Sequence, residues 1–198
     1  LYGADLLLCG VSYYFLVSAL RRHHGPDSSF ARAVGRDRKG VYSAVAYAVA
    51  QQLAQRRIAR GERPCGWKIG FTNRSLWDRY GVHEPIWGPV WNSSSALLDG
   101  PSARVSLAGF SQPRLEPEIV FGFASAPAAG MSLDALRACL AWVAHGFEVV
   151  HTHFTGWHFT LPDTVADFGL HGRLLVGPRV AVQGWPTLAA DLAALQVE

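Results

Sequence analysis

The stretch Arg-Leu-Glu-Pro-Glu-Ile-Val-Phe, residues 114–121, places two glutamates inside a segment that is typical of a half-buried β-strand. Successive side chains of a strand point to opposite faces, so Glu116 and Glu118 are expected side by side on one face. Pro117 lacks a backbone N–H, which predicts an edge strand, a bulge or a strand start. Neighbouring carboxylates repel each other unless a cation neutralises them. The stretch therefore predicts either two exposed glutamates or part of a metal site.

A third carboxylate lies in the next clear strand signal, the β-branched and aromatic run Phe147–Phe154 (FEVVHTHF). Here Glu148 is bracketed by apolar residues. Three carboxylates on two strands would form an all-oxygen anionic site, which favours a hard cation such as Mg²⁺ or Mn²⁺. The spacing of the glutamates does not by itself decide between this site and a solvated strand face.

Two histidines in the same run offer a rival site. His151 and His153 would share one strand face, and imidazole suits Zn²⁺ or Fe²⁺. However, Glu148 and His151 are separated by an odd number of residues, so a site that uses both would require a bulge. Two half-buried histidines that bond to the backbone are the interpretation we favour over zinc.

Lys68 is the other chemically informative residue. It stands between Trp67 and Ile69 in the apolar stretch GWKIG, and Lys39 is the only other lysine in the chain. A lysine in such a strand must extend its ammonium group to solvent or have an anionic partner. It could hold a substrate carboxylate or enolate or move a proton, or it could form a structural salt bridge. This residue alone leaves the two interpretations open.

The composition limits the class of protein. Of 198 residues, 49% are hydrophobic and 17% are charged, which is typical of a globular protein with one sizeable domain. The formal net charge is only +3, and the arginines are scattered without a basic run that alternates with aromatic residues. We therefore predict no nucleic-acid partner.

The cysteines and the N-terminal apolar run bear on the compartment. Cys9, Cys65 and Cys139 are far apart and lack CxxC spacing, so they predict free, buried thiols in a reducing, cytoplasmic environment. The apolar run Leu6–Leu20 is short for a membrane span, and basic residues follow it, whereas those of a signal peptide come first. We predict a buried segment or an extension here, and no membrane association.

The chain is expected to have an α+β fold in two parts. An N-terminal helical segment is predicted over residues 1–62, with a polar loop at 21–40 and a helix over about Val41–Arg60. A β-rich catalytic domain is predicted over residues 63–198. The apolar stripe of the helix, expected to be its buried face, consists of Tyr42, Val45, Val49 and Leu53.

Several elements of the second part can also be predicted. The Pro-, Gly- and Trp-rich stretch EPIWGPVWNSS, residues 84–94, predicts a rigid loop. Ser132 is expected to cap a helix whose apolar face runs to Val143 and which ends at Gly146. A last helix, capped by Thr187, runs up to the end of the sequence, which leads us to expect that the C-terminal part is missing.

Five motifs, in order, carry a resemblance to a known family. They are GWKIGFTNRSLW, YGVHEPIWGPVW, LEPEIVFGF, HGFEVVHTHFTGWHF and DTVADFGLHGRLLVGPRV. Together they resemble the bacterial 2-keto-4-pentenoate hydratase and 4-oxalocrotonate decarboxylase family of the fumarylacetoacetate hydrolase superfamily, over roughly Val41–Val182. The resemblance implies a fumarylacetoacetate-hydrolase-like, mixed β-rich fold with an N-terminal helical segment, whose C-terminal strands would follow Glu198.

The resemblance also implies site residues. The metal positions of the family fall on Glu116, Glu118 and Glu148, for Mg²⁺ or Mn²⁺, and its active-site lysine falls on Lys68. Substrate contacts fall on Asp163 or Asp167 in the DTVAD segment. Two departures concern motif positions: His83 replaces the acid of the G-V-D-x-P pattern, and Ile86-Trp87-Gly88 lacks the Asp that precedes F-G in some hydratases.

The implied activity is the hydration of 2-hydroxypenta-2,4-dienoate (2-keto-4-pentenoate) to 4-hydroxy-2-oxopentanoate, in aromatic meta-cleavage catabolism. A small 2-oxo or 2-hydroxydienoate acid is the implied partner, and the family implies a homo-oligomer. The alternatives are a 4-oxalocrotonate-type decarboxylase and a truncated inactive relative or partner subunit. C–C bond hydrolysis ranks third among the chemical outcomes, because the sequence shows no Ser–His–acid or Glu–His pairing.

Overall fold

The computed structural model describes residues 39–82, 84–100 and 102–196, together with five positions before them: Ala19, Arg22, His23, Gly25 and Ser28. The predictions for Cys9, for His83, for nearly all of the apolar run 6–20 and for most of the loop 21–40 lie outside the described residues. In the part of the chain that is described, no helix combines the length and the apolar character that crossing a membrane requires.

The described chain mixes helices and sheets. Its helices are α1 (Lys39–Ala59), α2 (Trp77–Tyr80), α3 (Leu133–Ala138), α4 (Leu161–Ala166) and α5 (Leu188–Ala193). Its strands are β1 (Pro64–Gly70), β2 (Ile86–Trp91), β3 (Ser95–Leu97), β4 (Arg114–Phe123), β5 (Leu140–Val150), β6 (His171–Val176) and β7 (Val180–Ala181). Short 3₁₀ turns occupy Arg74–Leu76 and Thr155–Trp157.

The chain forms two compact units. The first contains the described residues up to Trp91 together with Phe154–Leu170, and the second contains the described residues of the other two stretches, from Asn92 to His153 and from His171 onward. The predicted division of the chain at residue 62 into a helical segment and a catalytic domain stays a prediction.

In the first unit, α1 packs against α4, and α4 contacts β2 of the two-stranded antiparallel sheet formed by β1 and β2. Its buried contact joins Ala46 of α1 to Ile86 and Val165. The predicted buried stripe of this helix was wrong, because the small Ala46 side chain makes the close contact. The larger residues of the stripe are all exposed, namely Tyr42, Val45, Val49 and Leu53.

The stretch predicted as a rigid loop after Glu84 is largely a strand. Ile86–Trp91 forms β2 and pairs with β1, with Gly88 opposite Lys68. Gly88 suits this position because a Cβ there would lie 2.8 Å from the carbonyl oxygen of Phe168. The Pro, Gly and Trp content that indicated a loop therefore reflects close packing in a strand.

The second unit is built on a five-stranded sheet with the order β3-β6-β5-β4, and β7 also pairs with β5. β3 and β6 are parallel, and the other pairs are antiparallel. β4 is the last strand of this described order, in agreement with the edge position that Pro117 predicted.

The helix predicted from Ser132 to Val143 is correct only in its first half. Ser132 does cap α3, its Oγ accepting a hydrogen bond from the N–H of Ala135 at 3.2 Å. The helix ends at Ala138, and β5 begins at Leu140. The short apolar run of residues 140–144 is compatible with either a helix or a buried strand, and pairing along almost the whole length of β4 favours the strand.

Candidate metal centre

The register between β4 and β5 brings the three predicted glutamates together. Glu116 lies directly opposite Glu148, and Glu118 lies opposite Gly146 on the same pair of strands. One carboxylate oxygen from each glutamate lies within 4.8 Å of the others. Among the described residues, these three form the group of His, Cys, Asp and Glu side chains whose geometry could hold a metal ion.

The electrostatics of this cluster suit a divalent cation. Like charges directly opposite each other in a sheet are destabilising, and burial adds a desolvation cost. Glu148 is only 2% exposed, whereas Glu118 is half-buried and Glu116 is exposed. An all-carboxylate donor set matches the preference of Mg²⁺ for oxygen ligands, and the exposed side leaves room for water and a substrate. The residues present therefore fit a hard divalent cation.

Glu148 also belongs to a buried hydrogen-bonded chain that the sequence analysis missed. Its Oε1 lies 2.6 Å from Nδ1 of His171, and Nε2 of the same ring lies 2.8 Å from Oγ of Ser94. The structure therefore contains a Ser–His–acid pairing that was not evident in the sequence. The only sequence signal was a lone histidine at the start of the apolar run LHGRLLV, a pattern that more often marks an ordinary core residue.

A β-bulge aims His171 at this carboxylate. In the pairing of β5 with β6, Val149 lies opposite Arg173 but Val150 lies opposite His171, so Gly172 is an extra residue. An extra residue shifts the alternation of faces by one position, which re-aims the side chains beyond it. A Cβ on Gly172 would lie only 2.6 Å from the carbonyl oxygen of Val149, so the bulge requires glycine.

Replacing Gly172 with alanine is expected to lower the free energy of unfolding by about 1–3 kcal/mol, because the added methyl group overpacks the bulge. Urea denaturation of the variant and the parent chain would measure this loss. Gly100→Ala is the matched control in the same unit, since a Cβ there meets no atom within 4 Å. Equal stability of the two variants would contradict the expectation.

The two histidines of the rival site lie just beyond the end of β5. His151 is half-buried, its ring lies 4.9 Å from that of His153, and its Nδ1 is 3.5 Å from the N–H of Ser111. His153 is exposed, so only His151 matches the predicted half-buried histidine with a backbone partner. Neither belongs to the described group that could hold a metal ion.

Lys68 lies on the less exposed face of β1. Its neighbours on the other face are open to solvent, since Trp67 is 56% exposed and Ile69 is 61% exposed. The Nζ of Lys68 donates a hydrogen bond to the carbonyl oxygen of Gly169 at 2.9 Å. Because one ammonium proton is held in this way, the side chain has a defined position on that face.

The acceptor of this hydrogen bond lies in an unusual backbone segment. Phe168, Gly169 and Leu170 have φ values of 51°, 68° and 62°, so all three adopt the left-handed region. For the two residues that are not glycine, such a conformation costs roughly 1–3 kcal/mol each and is typical of functional sites. This strain makes the segment next to Lys68 a candidate for a functional role.

The two predicted substrate contacts have structural roles at the ends of α4. Oδ2 of Asp163 accepts hydrogen bonds from the backbone N–H of Thr160 at 2.8 Å and from its hydroxyl at 2.7 Å. Asp167 is the residue that follows the helix, and its N–H donates to the carbonyl oxygen of Asp163. Contact of either residue with a substrate stays a prediction.

Replacing Asp163 with alanine is expected to lower the free energy of unfolding by about 1 kcal/mol, because two donors at the start of α4 lose their acceptor. Chemical denaturation would measure the change. Asp163→Asn, which keeps a carbonyl oxygen at this place, should recover most of the stability. If Asp163 also contacts the substrate through its charge, both variants will raise KM.

Comparisons with known proteins identify several relatives of this chain. No protein-family model matches the chain. The 2-hydroxyhexa-2,4-dienoate hydratase of Comamonas testosteroni is 32% identical over 154 residues, which are 77% of this chain and 56% of that protein. The 4-oxalocrotonate decarboxylase of a Pseudomonas species is 33% identical over 126 residues, 63% of this chain and 48% of that protein. The 2-hydroxypent-2,4-dienoate hydratase of Pseudomonas putida is 33% identical over 138 residues, 67% of this chain and 59% of that protein.

Two solved structures share the fold. Both are 4-oxalocrotonate decarboxylase from Pseudomonas putida G7. The structure complexed with magnesium and adipate has a TM-score of 0.64 and 20% identity, and covers 91% of this chain and 65% of the other. The structure complexed with calcium and acetate has a TM-score of 0.61 and 26% identity, and covers 72% of this chain and 52% of the other.

The chain spans about half the length of the curated relatives that it matches. The matched proteins carry one of two activities in their names: some are dienoate hydratases and the others are 4-oxalocrotonate decarboxylases. The identity to these relatives shows the family, and the three glutamates gathered on β4 and β5 are consistent with it. The chain belongs to the family of 2-keto-4-pentenoate hydratases and 4-oxalocrotonate decarboxylases.

Proposed function

We propose that this chain is part of a divalent-cation-dependent hydratase that adds water to 2-hydroxypenta-2,4-dienoate to give 4-hydroxy-2-oxopentanoate. The observation that carries the proposal is the cluster of Glu116, Glu118 and Glu148, whose ligand oxygens lie within 4.8 Å of one another. The relatives named as hydratases of small dienoates support the reaction type and the substrate class.

The three glutamates would hold Mg²⁺ or Mn²⁺. When bound, such a cation supplies Lewis-acid stabilisation of negative charge on the C2 oxygen of the substrate. Glu148 anchors the cluster, because its carboxylate is buried and hydrogen-bonded to His171. Glu116 and Glu118 lie on the more solvent-accessible side, where a small acid can approach.

Lys68 is the proposed catalytic residue. Its ammonium group can stabilise negative charge on the dienol, or it can donate the proton that the far end of the diene accepts. Protonation at C5 gives an unsaturated ketone, to which water adds at C4. The hydrogen bond to the carbonyl oxygen of Gly169 limits the positions that the ammonium group can take, which lowers the entropic cost of placing it against a reacting group.

An assay with defined products tests the proposal. The chain, loaded with Mg²⁺, is incubated with a panel of 2-hydroxydienoates and oxalocrotonate-type diacids, with a chelator as the control. We expect loss of the dienol absorbance and formation of a 4-hydroxy-2-oxo acid only in the presence of Mg²⁺. Chelator-resistant hydration would exclude the proposed cation dependence.

A 4-oxalocrotonate-type decarboxylase is the second candidate, and the two solved neighbours favour it. Decarboxylation would use the same stabilisation of negative charge at C2, with CO₂ as the leaving group. Release of CO₂ from an oxalocrotonate-type diacid, without hydration of the dienoates, would select this reaction. Mg²⁺ binding without any turnover would select the inactive relative or partner subunit.

A further inference from the structure

The hydrogen-bonded chain Glu148–His171–Ser94 shares Glu148 with the carboxylate cluster, and neither His171 nor Ser94 belongs to that cluster. We propose that His171, anchored by Ser94, is a positioning residue that holds the Glu148 carboxylate in the orientation that binds the cation. This inference rests on the proposed metal site. It assigns a role to two residues that the sequence motifs did not single out.

The chemistry of the three groups gives the hydrogen bonds a direction. A carboxylate can only accept, so Nδ1 of His171 must carry the proton that lies between it and Oε1 of Glu148, 2.6 Å away. Nε2 of the same ring is hydrogen-bonded to the hydroxyl of Ser94 at 2.8 Å. Both ring nitrogens are therefore engaged, and the imidazole cannot turn without breaking two hydrogen bonds.

The anchor of this chain is itself fixed to the sheet. The carbonyl oxygen of Ser94 accepts a hydrogen bond from the N–H of Leu174 at 2.8 Å, which ties the start of β3 to β6. Ser94, His171 and Glu148 are all buried, with 9%, 8% and 2% of their surface exposed. Water therefore competes little for these hydrogen bonds, and the carboxylate has few alternative orientations.

A positioning role explains the arrangement better than a nucleophilic serine does. Ser94 is buried, whereas a serine that attacks a substrate must reach it. Glu148 also contributes an oxygen to the carboxylate cluster, which a purely catalytic triad would not require. Outer partners that orient a metal ligand are typically worth 10–100-fold in metal affinity.

Calorimetric titration of the full 198-residue chain with Mg²⁺ tests the proposal. His171→Leu removes the donor at nearly constant size, and we expect Mg²⁺ to bind roughly 10–100-fold more weakly. His171→Asn, whose amide nitrogen can replace Nδ1, should recover most of the affinity. Ser94→Ala should weaken binding by a smaller factor. His145→Leu is the control, since it removes an exposed histidine from the same strand as Glu148.

A second measurement separates positioning from general stabilisation. We expect Mg²⁺ to raise the Tm of the parent chain, and His171→Leu to reduce this rise more than His171→Asn does. Equal loss of Tm with and without Mg²⁺, at unchanged Mg²⁺ affinity, would show a merely structural role and overturn the proposal. If His171→Leu does not fold, Mg²⁺ affinity and the Mg²⁺-dependent rise in Tm are compared in Ser94→Ala and His171→Asn instead. Parent-like Mg²⁺ affinity in Ser94→Ala then contradicts the positioning role.

Two results distinguish this inference from the proposed function. Parent-like affinity in His171→Leu, together with weakened affinity in Glu148→Gln, overturns the positioning role and leaves the metal site intact. Unchanged affinity in both Glu116→Gln and Glu148→Gln overturns the metal site, and the positioning role with it. Loss of turnover in Ser94→Ala at parent-like affinity would instead indicate a nucleophilic serine.

Discussion

Replacing Glu148 with glutamine is expected to weaken Mg²⁺ binding by more than the roughly 10–100-fold that is typical of losing an outer partner of a metal ligand. Glutamine keeps the size of the side chain and an oxygen that can accept the hydrogen bond from His171, so the substitution removes mainly the charge. The effect should be large because Glu148 is almost fully buried, so little water can reach its charge. The buried carboxylate therefore depends on the cation for its stabilisation, and the neutral glutamine does not.

Calorimetric titration with Mg²⁺ measures this change, and thermal unfolding provides a second readout. A ligand at 100 times its Kd stabilises the folded state by about 2.7 kcal/mol, so the parent chain should gain stability from Mg²⁺ and the variant should not. Glu116→Gln should weaken binding less, because Glu116 is exposed. Glu84→Gln, at an exposed glutamate of the first unit, is the control. Undiminished affinity in both Glu116→Gln and Glu148→Gln would remove the site.

Replacing Lys68 with methionine is expected to reduce kcat by roughly 10²–10⁴-fold, the range that a positioned proton donor or acceptor contributes. Mg²⁺ affinity should stay at the parent value, because Lys68 is not a ligand of the proposed site. Methionine keeps most of the length of the side chain but cannot donate to the carbonyl oxygen of Gly169. Steady-state assays with the dienoate that gives turnover, alongside Mg²⁺ titration, measure the two effects.

Lys68→Arg separates the two roles considered for this residue. Arginine keeps the positive charge but does not release its proton in proteins. If Lys68 mainly stabilises negative charge, Lys68→Arg should retain much of the activity. If Lys68 transfers a proton, both variants should lose activity to a similar extent. Parent-like kcat in Lys68→Met would exclude both roles.

The predicted grouping of the glutamates follows from simple rules of strand geometry, whereas their assignment as metal positions came from the family resemblance. Alternation of faces predicted that Glu116 and Glu118 project together. Pro117 predicted an edge strand, a bulge or a strand start, and β4 is the last strand of the described sheet order. The strand signal of residues 147–154 added Glu148, and the register of β4 with β5 places it opposite Glu116. The roles of Lys68, Asp163 and Asp167 stay predictions, and the structure describes only their local contacts.

The buried face of α1 and the start of β5 depend on long-range contacts, which a local sequence pattern does not reveal. The apolar stripe of α1 was assigned to the core by its spacing, yet Ala46 makes the buried contact with Ile86 and Val165. The short apolar run of residues 140–144 suits either a helix or a buried strand, and pairing with β4 decided for the strand. In such cases, contacts with other segments override the local propensity and periodicity.

The amino-acid sequence by itself determined the strand that carries two glutamates and the likeness to a family of dienoate-processing enzymes, and it led to the three acidic positions proposed to share a cation. Tertiary structure alone decided that a bulge at Gly172 turns His171 toward Glu148, and that Ser94 completes the chain. The reason is physical: face alternation is a local property with a period of two, whereas register and bulges arise only when distant segments pair.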